Sequence, residues 1–308
     1  MEVALKTIYL PTNRGHGNAR RVSLDHCSNE LVALMDADDI STKTRFEKQL
    51  EKFQIDKKVD IVGGQITEFI DTPDNIIGKR SVPEKDADIK WFMKKRCPMN
   101  QVTVMFKKSF YNKVGGYIDW FCEEDYYLWL RMAQAGGQFA NVSETLVNVR
   151  IGDAMSERRG GWKYFSSEVR IQRYMLFNRI ISLPRFFYNV ILRFGGEILL
   201  PSSIRTNLFK LLRSEVKLEE QKQNNQGVGE QNIKEKTESF PPFSVAMCVY
   251  GGDNAEWFDT ALESVIHQTV KPTEIVLVVD GPIPQSIQDV IARFENVCKQ
   301  GGGNLPSH

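Results

Sequence analysis

Apolar positions fall into short runs separated by turn-forming residues. Lys6 to Leu10 (KTIYL) reads as a short buried strand, a Gly/Asn-rich turn follows, and a helix is predicted through Arg20 to Cys27. Glu30 to Met35 (ELVALM) reads as a second strand. After Ser41, a helix N-cap residue, Phe46, Leu50 and Phe53 recur at helical spacing, and Val59 to Val62 resume a strand. Further on, Val102 to Phe106 predicts a strand, Gly115 and Gly116 a turn, and Asp125 to Ala135 a helix with Leu128 and Met132 on one face. This βαβα alternation predicts a layered α/β fold.

The pattern stops at residues 215–242, EVKLEEQKQNNQGVGEQNIKEKTESFPP, a polar, charged stretch with almost no core residues and the composition of a flexible linker. It resumes with an apolar strand at Phe243 to Tyr250, an amphipathic helix at Glu256 to His267, and a strand at Glu274 to Val279 that ends at Asp280 and Gly281. Two parallel strands and one helix leave both sheet faces open, so this βαβ unit needs a host sheet. The natural host is the sheet of residues 6–150, whose first strand has no predecessor. Val245 to Val249 is then expected beside Thr7 to Leu10, with the chain ends near one another. A coil of 28 residues spans roughly 29 Å, enough to cross a domain face.

The chain has 308 residues, 42% hydrophobic and 26% charged, with a formal net charge of +1. It can bury a full core, and the balanced charge argues against a surface built to grip nucleic acid. The five cysteines (Cys27, Cys97, Cys122, Cys248, Cys298) form no CxxC pair and no metal spacing with the four histidines, so neither a zinc site nor a disulfide framework is expected. Met1 to Lys6 lacks the apolar run of a signal peptide, and no window has the length and apolarity of a membrane span. A cytoplasmic protein is the expectation.

Two stretches carry candidate chemistry. The strand ending at Met35 runs into Asp36, Ala37, Asp38 and Asp39, at the carboxyl end of a strand, where open α/β sheets bind ligands. Taken alone, such a run is a solvated acidic turn that caps the next helix; the apolar strand before it favours a ligand site. NRGHGNARR, after KTIYL, offers G-x-G-x-x but has Arg20 at the sixth position, against a dinucleotide fingerprint.

Read in the order 243–298 and then 3–213, the chain resembles a family 2 glycosyltransferase of the GT-A type, particularly those that build bacterial capsule and exopolysaccharide. The motifs, in order, are FSVAMCVYGGDNAEWFDTALESVIHQTVKP, EIVLVVDGP, NRGHGNARR, ELVALMDADDIS, NQVTVMFKKS, VGGY, EEDYYLWLRM and ERRGG. The resemblance implies a Rossmann-like mixed sheet flanked by helices, its N-terminal βαβ unit supplied by the C-terminal segment. Circular permutation and the joining of two related gene fragments both account for the swapped order.

By resemblance, Val249, Tyr250 and Asp280 hold the nucleotide base and Arg20 faces the nucleotide, with Arg21 where the family has Asn. Asp36, Ala37 and Asp38 form the DxD motif, in which Asp38 and Asp36 hold Mg²⁺ or Mn²⁺ on the donor diphosphate and Asp39 supports them. Oxygen ligands suit such hard cations. Asp125 is implied as the base that deprotonates the acceptor hydroxyl in an inverting transfer, with Glu124 its neighbour; the bland reading is acids placed for the helix dipole. Arg158 and Arg159, followed by Gly160 and Gly161, match a basic segment that holds donor phosphate or acceptor, beside the reading of solvated loop arginines. Asn100 and Gln101 stand where the family often has Asn-His.

The expected division is 1–160, the central and acceptor part; 161–214, a basic and aromatic helical region; 215–242, the linker; 243–298, the nucleotide-binding part of the same domain; and 299–308, a disordered tail. Residues 163–213 hold nine Lys/Arg against two Glu among many aromatics. They fit either helical packing on the domain or peripheral attachment to the inner face of the plasma membrane. The implied partners are a nucleotide-diphosphate-sugar donor and a saccharide or polyprenyl-linked acceptor. Two other readings stay open: an inactive rearranged fragment that binds a saccharide or partner, and a sugar-phosphate nucleotidyltransferase. The second lacks its usual glycine-rich, lysine-ended phosphate loop in VYGGDNAEWF.

Overall fold

A computed structural model describes residues 3–118, 120–152, 161–199 and 239–299. Nine strands among them form one mixed sheet: β1 (Ala4–Leu10), β2 (Leu31–Met35), β3 (Ile40–Ser41), β4 (Ile61–Phe69), β5 (Ile76–Arg80), β6 (Met105–Lys107), β7 (Phe139–Arg150), β8 (Phe243–Tyr250) and β9 (Glu274–Asp280). Their spatial order is β1-β9-β8-β2-β6-β4-β7-β3, with β5 paired to β4. Nine α-helices among the described residues flank the sheet: α1 (His16–His26), α2 (Arg45–Ile55), α3 (Asp86–Met93), α4 (Lys108–Lys113), α5 (Glu124–Gln134), α6 (Gly161–Phe177), α7 (Leu183–Phe194), α8 (Ala255–Ile266) and α9 (Gln285–Lys299).

The C-terminal unit enters the middle of this sheet. β8 pairs in parallel with β2, from Leu31 opposite Phe243 to Met35 opposite Met247, and with β9 on its other edge. β9 in turn pairs in parallel with all of β1, from Ala4 opposite Glu274 to Leu10 opposite Asp280. Val245 to Val249 therefore does not lie beside Thr7 to Leu10, as the sequence led us to expect. The crossover through α8 moves the chain one strand outward, so β9 lies between them. α9 then packs next to β1, where Thr7 Oγ1 donates to Glu295 Oε1 at 3.0 Å.

Alternation along these strands divides two cores. Ala33, Met35, Val245, Met247, Ile275 and Leu277 pack with α2, α8 and α9 on one face, while Val32, Leu34, Ala246 and Val276 pack with α1 and α5 on the other. Apolar on both sides, β2, β8 and β9 suit the centre of a parallel sheet covered by helices. Polar ties fix the register of the inserted unit. Ser23 Oγ donates to the Val276 carbonyl at 2.8 Å, Asn29 Nδ2 donates to Ser244 Oγ at 3.1 Å and Thr273 Oγ1 at 2.8 Å, and Gln268 Nε2 donates to the Thr42 carbonyl at 2.8 Å.

Two local expectations need correction. Val102 to Phe106 is not one strand: Gln101–Thr103 is a 3-10 turn and the strand begins at Met105. Buried Gln49 explains the turn, because its Nε2 captures the carbonyls of Thr103 at 2.7 Å and Val62 at 2.9 Å. The strand expected at Val59 to Val62 instead starts at Ile61 and continues to Phe69 through Gly63 and Gly64. A Cβ at Gly64 would lie 2.5 Å from Leu146 Cδ1, so glycine lets β4 run against β7. Of the linker assigned to 215–242, residues 215–238 lie outside the described residues; so do 200–214 of the helical region and 300–308 of the tail.

Candidate active site

The carboxyl ends of β2, β8 and β9 open into one cleft of about 2210 Å³. Val249, Tyr250, Asp280, Asp36, Ala37, Asp38, Glu124 and Asp125 all line it. Carboxylates more than two hundred residues apart in the chain thus share one space, because β8 lies directly beside β2. Arg20 is buried behind Asp36 rather than on the cleft wall. Arg158 and Arg159 lie outside the described residues.

At the β8–β9 end, Asp280 organises the loop after β1. Its Oδ1 accepts from the Arg14 backbone N–H at 2.9 Å and its Oδ2 from that of Gly15 at 3.0 Å. The next residue, Gly281, has φ 88 and lies so close to Asn13 that a Cβ would sit 2.6 Å from the Asn13 nitrogen. Only glycine meets both demands. Asp280 is therefore buried and hydrogen-bonded, yet each carboxylate oxygen retains a lone pair for a further donor. Tyr250, half exposed, stands across the strand end.

Behind the acidic loop, Arg20 Nη2 donates to Asp36 Oδ1 at 3.2 Å and meets His16 Nε2. Gln101, with its amide oxygen toward the guanidinium, accepts from Arg20 Nη2 at 3.0 Å. Burial works against the Arg20 charge, but Tyr117, Asp36, Cys248 and Glu124 outweigh it and hold the guanidinium more firmly protonated than usual. Gln101, where the family often carries His, is an orienting partner of Arg20. Arg45 lies fully buried beneath the same loop, donating to the Leu34 carbonyl at 2.6 Å and Ser41 Oγ at 2.9 Å.

Burial and mutual repulsion dominate the acidic loop despite the arginines around it. Burial, then Asp36 and Asp253, push the Asp38 carboxyl up to about 6. Burial, Asp38 and Asp36 raise Asp39 well above the ordinary range, and its Oδ1 accepts from the Arg150 backbone N–H at 2.9 Å. Asp39 thus anchors β7. Asp253, raised by burial and Asp36, brings a fourth carboxylate to this wall. Among the described residues no three His, Cys, Asp or Glu side chains form a ready metal cage. A hard cation here would take one or two carboxylates and complete its shell with water and substrate phosphate, the habit of Mg²⁺. The donor set fits that arrangement.

Elsewhere on the cleft lining, α5 begins with Glu124 and Asp125, and Asp125 Oδ1 accepts from the Tyr126 backbone N–H at 2.7 Å. The helix N-terminus favours the ionised carboxylate. Glu123, just before it, is buried and structural: Tyr164 Oη donates to it at 3.2 Å, and burial, Glu168 and Asp125 raise it well above the usual range. Tyr164, Glu168 and Arg193 of the α6–α7 pair also line this wall.

Sequence reasoning missed Arg150 and Asp253. Arg150 donates from Nε to the Asp38 carbonyl at 3.2 Å and from Nη1 to the Asp71 carbonyl at 2.7 Å, and its guanidinium lies 4.4 Å from the Trp257 ring centroid. Its only signal was a cation at the end of a strand, visible as functional once β7 is set against Asp39.

The Glycosyl transferase family 2 profile matches residues 3–115, a stretch that contains Arg20 and Asp36 to Asp39. Over 209 residues the chain is 38% identical to an uncharacterized glycosyltransferase of Haemophilus influenzae, covering 68% of this chain and 77% of the relative. It is 34% identical over 206 residues to the UDP-Gal:alpha-D-GlcNAc-diphosphoundecaprenol beta-1,3-galactosyltransferase of Escherichia coli, covering 67% and 74%. To the amylovoran biosynthesis glycosyltransferase AmsE of Erwinia amylovora it is 34% identical over 172 residues, covering 56% and 64%. The chain belongs to the family 2 glycosyltransferases and is a glycosyltransferase, with the mixed α/β, Rossmann-like sheet that the resemblance implied.

Proposed function

We propose that this enzyme transfers a hexose, with inversion, from a cation-chelated nucleoside-diphosphate sugar to a lipid-linked saccharide in the assembly of a bacterial surface polysaccharide. The observation that carries the reading is the meeting of Asp280, Asp36 and Asp38 with Asp125 across one cleft. Two relatives named for UDP-Gal and UDP-Glc donors and diphosphoundecaprenol acceptors supply the substrate class.

In this reading Asp280 and Tyr250 take the base, and Arg20 orients Asp36. Asp38 and Asp36 would hold Mg²⁺ or Mn²⁺, which supplies Lewis-acid neutralisation of the departing diphosphate. Asp125 accepts the proton of the acceptor hydroxyl as its oxygen bonds to the anomeric carbon. The electron pair of the broken C–O bond leaves with the nucleoside diphosphate. Glu124 flanks the base. The swapped segment order is read as circular permutation of one domain, with residues 243–298 restoring the first βαβ unit.

Transfer to a synthetic diphosphate-lipid N-acetylglucosamine acceptor, with UDP-hexoses and Mn²⁺, tests the reading. Asp125→Asn is expected to lower kcat by about 10²-fold or more while leaving UDP binding intact. Unchanged turnover in that variant would remove Asp125 from the chemistry.

A further inference from the structure

Helix α7 carries apolar residues on its outer side as well as toward the core, whereas a helix on an ordinary soluble domain turns its apolar stripe inward and leaves a polar outer face. On its inward side Phe186 packs on the core, beside two polar anchors. Asn189 Nδ2 donates to the Lys94 carbonyl at 3.0 Å and to Gln172 Oε1 at 2.8 Å, while Arg193 donates to Glu168 Oε2 at 2.5 Å and to the Lys95 carbonyl at 2.9 Å. Its outer side carries Leu183, Phe187 and Ile191 at intervals of four, with exposures of 54%, 54% and 68%. Tyr188 and Leu192 lie alongside, both exposed. Trp162 of α6, also exposed, extends the row by packing on Phe194, with ring centroids 6.1 Å apart. A continuous exposed apolar patch of this kind marks an interaction surface.

Two observations choose its occupant. The first is charge: with Arg193 and Glu168 paired to each other, residues 161–199 still carry Lys163, Arg170, Arg173, Arg179 and Arg185 against Glu197. The backbone held by Asn189 and Arg193 belongs to the basic run Lys94, Lys95, Arg96, beside the exposed Trp91. Apolar stripe, tryptophans and flanking cations together match an anionic lipid surface, whose headgroups attract the cations while the stripe enters the acyl boundary. The second is position: Leu192, Arg193 and Arg96 also line the cleft that contains Asp125. The apolar row therefore ends at the mouth of the site.

We propose that the outer face of α7, extended by Trp162, seats this enzyme on an anionic bilayer and brings the mouth of the cleft to headgroup level. A lipid-linked saccharide would there present its hydroxyl toward Asp125 without leaving the membrane. This purpose rests on the lipid-linked acceptor proposed above; the surface itself is tested without turnover.

The test is sedimentation of the full chain with vesicles of phosphatidylcholine alone and with an equal share of phosphatidylglycerol. Binding is expected only with the anionic vesicles and should weaken with salt. Phe187→Ser with Ile191→Ser, neither on the cleft wall, should lower the vesicle partition by about tenfold or more. An unaltered thermal midpoint and UDP–Mn²⁺ binding would show that this variant still folds. No binding by the native chain, or equal partition of the variant, overturns the proposal. So does a native dimer that the substitutions convert to monomer, which would make the face a contact between copies. A chain that sediments but transfers no sugar leaves the surface standing and removes the acceptor reading. One that glycosylates a water-soluble acceptor yet ignores vesicles does the reverse.

Discussion

At the scale of single residues, the carboxylates were legible and their partners were not. Asp280 ends a strand, Asp125 lies in the first turn of a helix, and Asp36 and Asp38 sit in the turn that follows a strand, so local pattern alone places them near a sheet edge or helix terminus. Arg150, Asp253 and the Gln101 contact to Arg20 exist only once distant segments fold together. The crowding of acids makes a pH prediction. Folding raises the Asp38 carboxyl from the ordinary range, near 3.9, to about 6. The native chain therefore holds this proton more tightly than the unfolded chain. The stability it contributes is fully present below about pH 4 and lost as the pH rises through about 6. In metal-free buffer, Asp38→Asn should escape that loss, gaining on native protein between pH 4.5 and 7.5 by on the order of 1 to 3 kcal/mol. Denaturant unfolding at the two pH values measures it, and a pH-independent difference would contradict the raising of Asp38 by burial and its acidic neighbours.

At the scale of elements, the strongly apolar strands β2, β8 and β9 were read, only the start of β4 was, and β7 was overlooked. β2, β8 and β9 are buried on both faces and carry unbroken apolar runs. β4, with Gly63, Gly64 and Gln65, and β7, FANVSETLVNVR, mix small and polar residues whose burial depends on the neighbouring strand. The order β1-β9-β8-β2 also carries an engineering consequence. α9 returns from the carboxyl end of β9 and meets β1 through Thr7 and Glu295, which brings its last turn back toward the start of β1. A chain rebuilt as 239–299, a short glycine-serine joint and then 3–199 should therefore fold with the same circular dichroism and cooperative unfolding. By contrast, residues 3–199 alone lose the two strands between β1 and β2, and should not unfold cooperatively. If that fragment proves stable, the inserted unit is not part of the core.

For the whole molecule, the near-zero net charge conceals two local fields of opposite sign: an acidic loop inside the cleft and a basic, apolar helical face at its mouth. Composition averaged these away, and only the fold separates them. Family membership was readable from motif order, whereas the convergence of two distant segments on one site required the strand pairing. That convergence is the central claim, and calorimetric titration of UDP with Mn²⁺ into native protein, Asp38→Ala and Asp280→Ala tests it most directly. The account predicts saturable, Mn²⁺-dependent binding to the native chain that weakens by about tenfold or more in each variant, although the two positions lie at opposite ends of the sequence. Binding by either variant with native affinity, or none by the native chain, would contradict it.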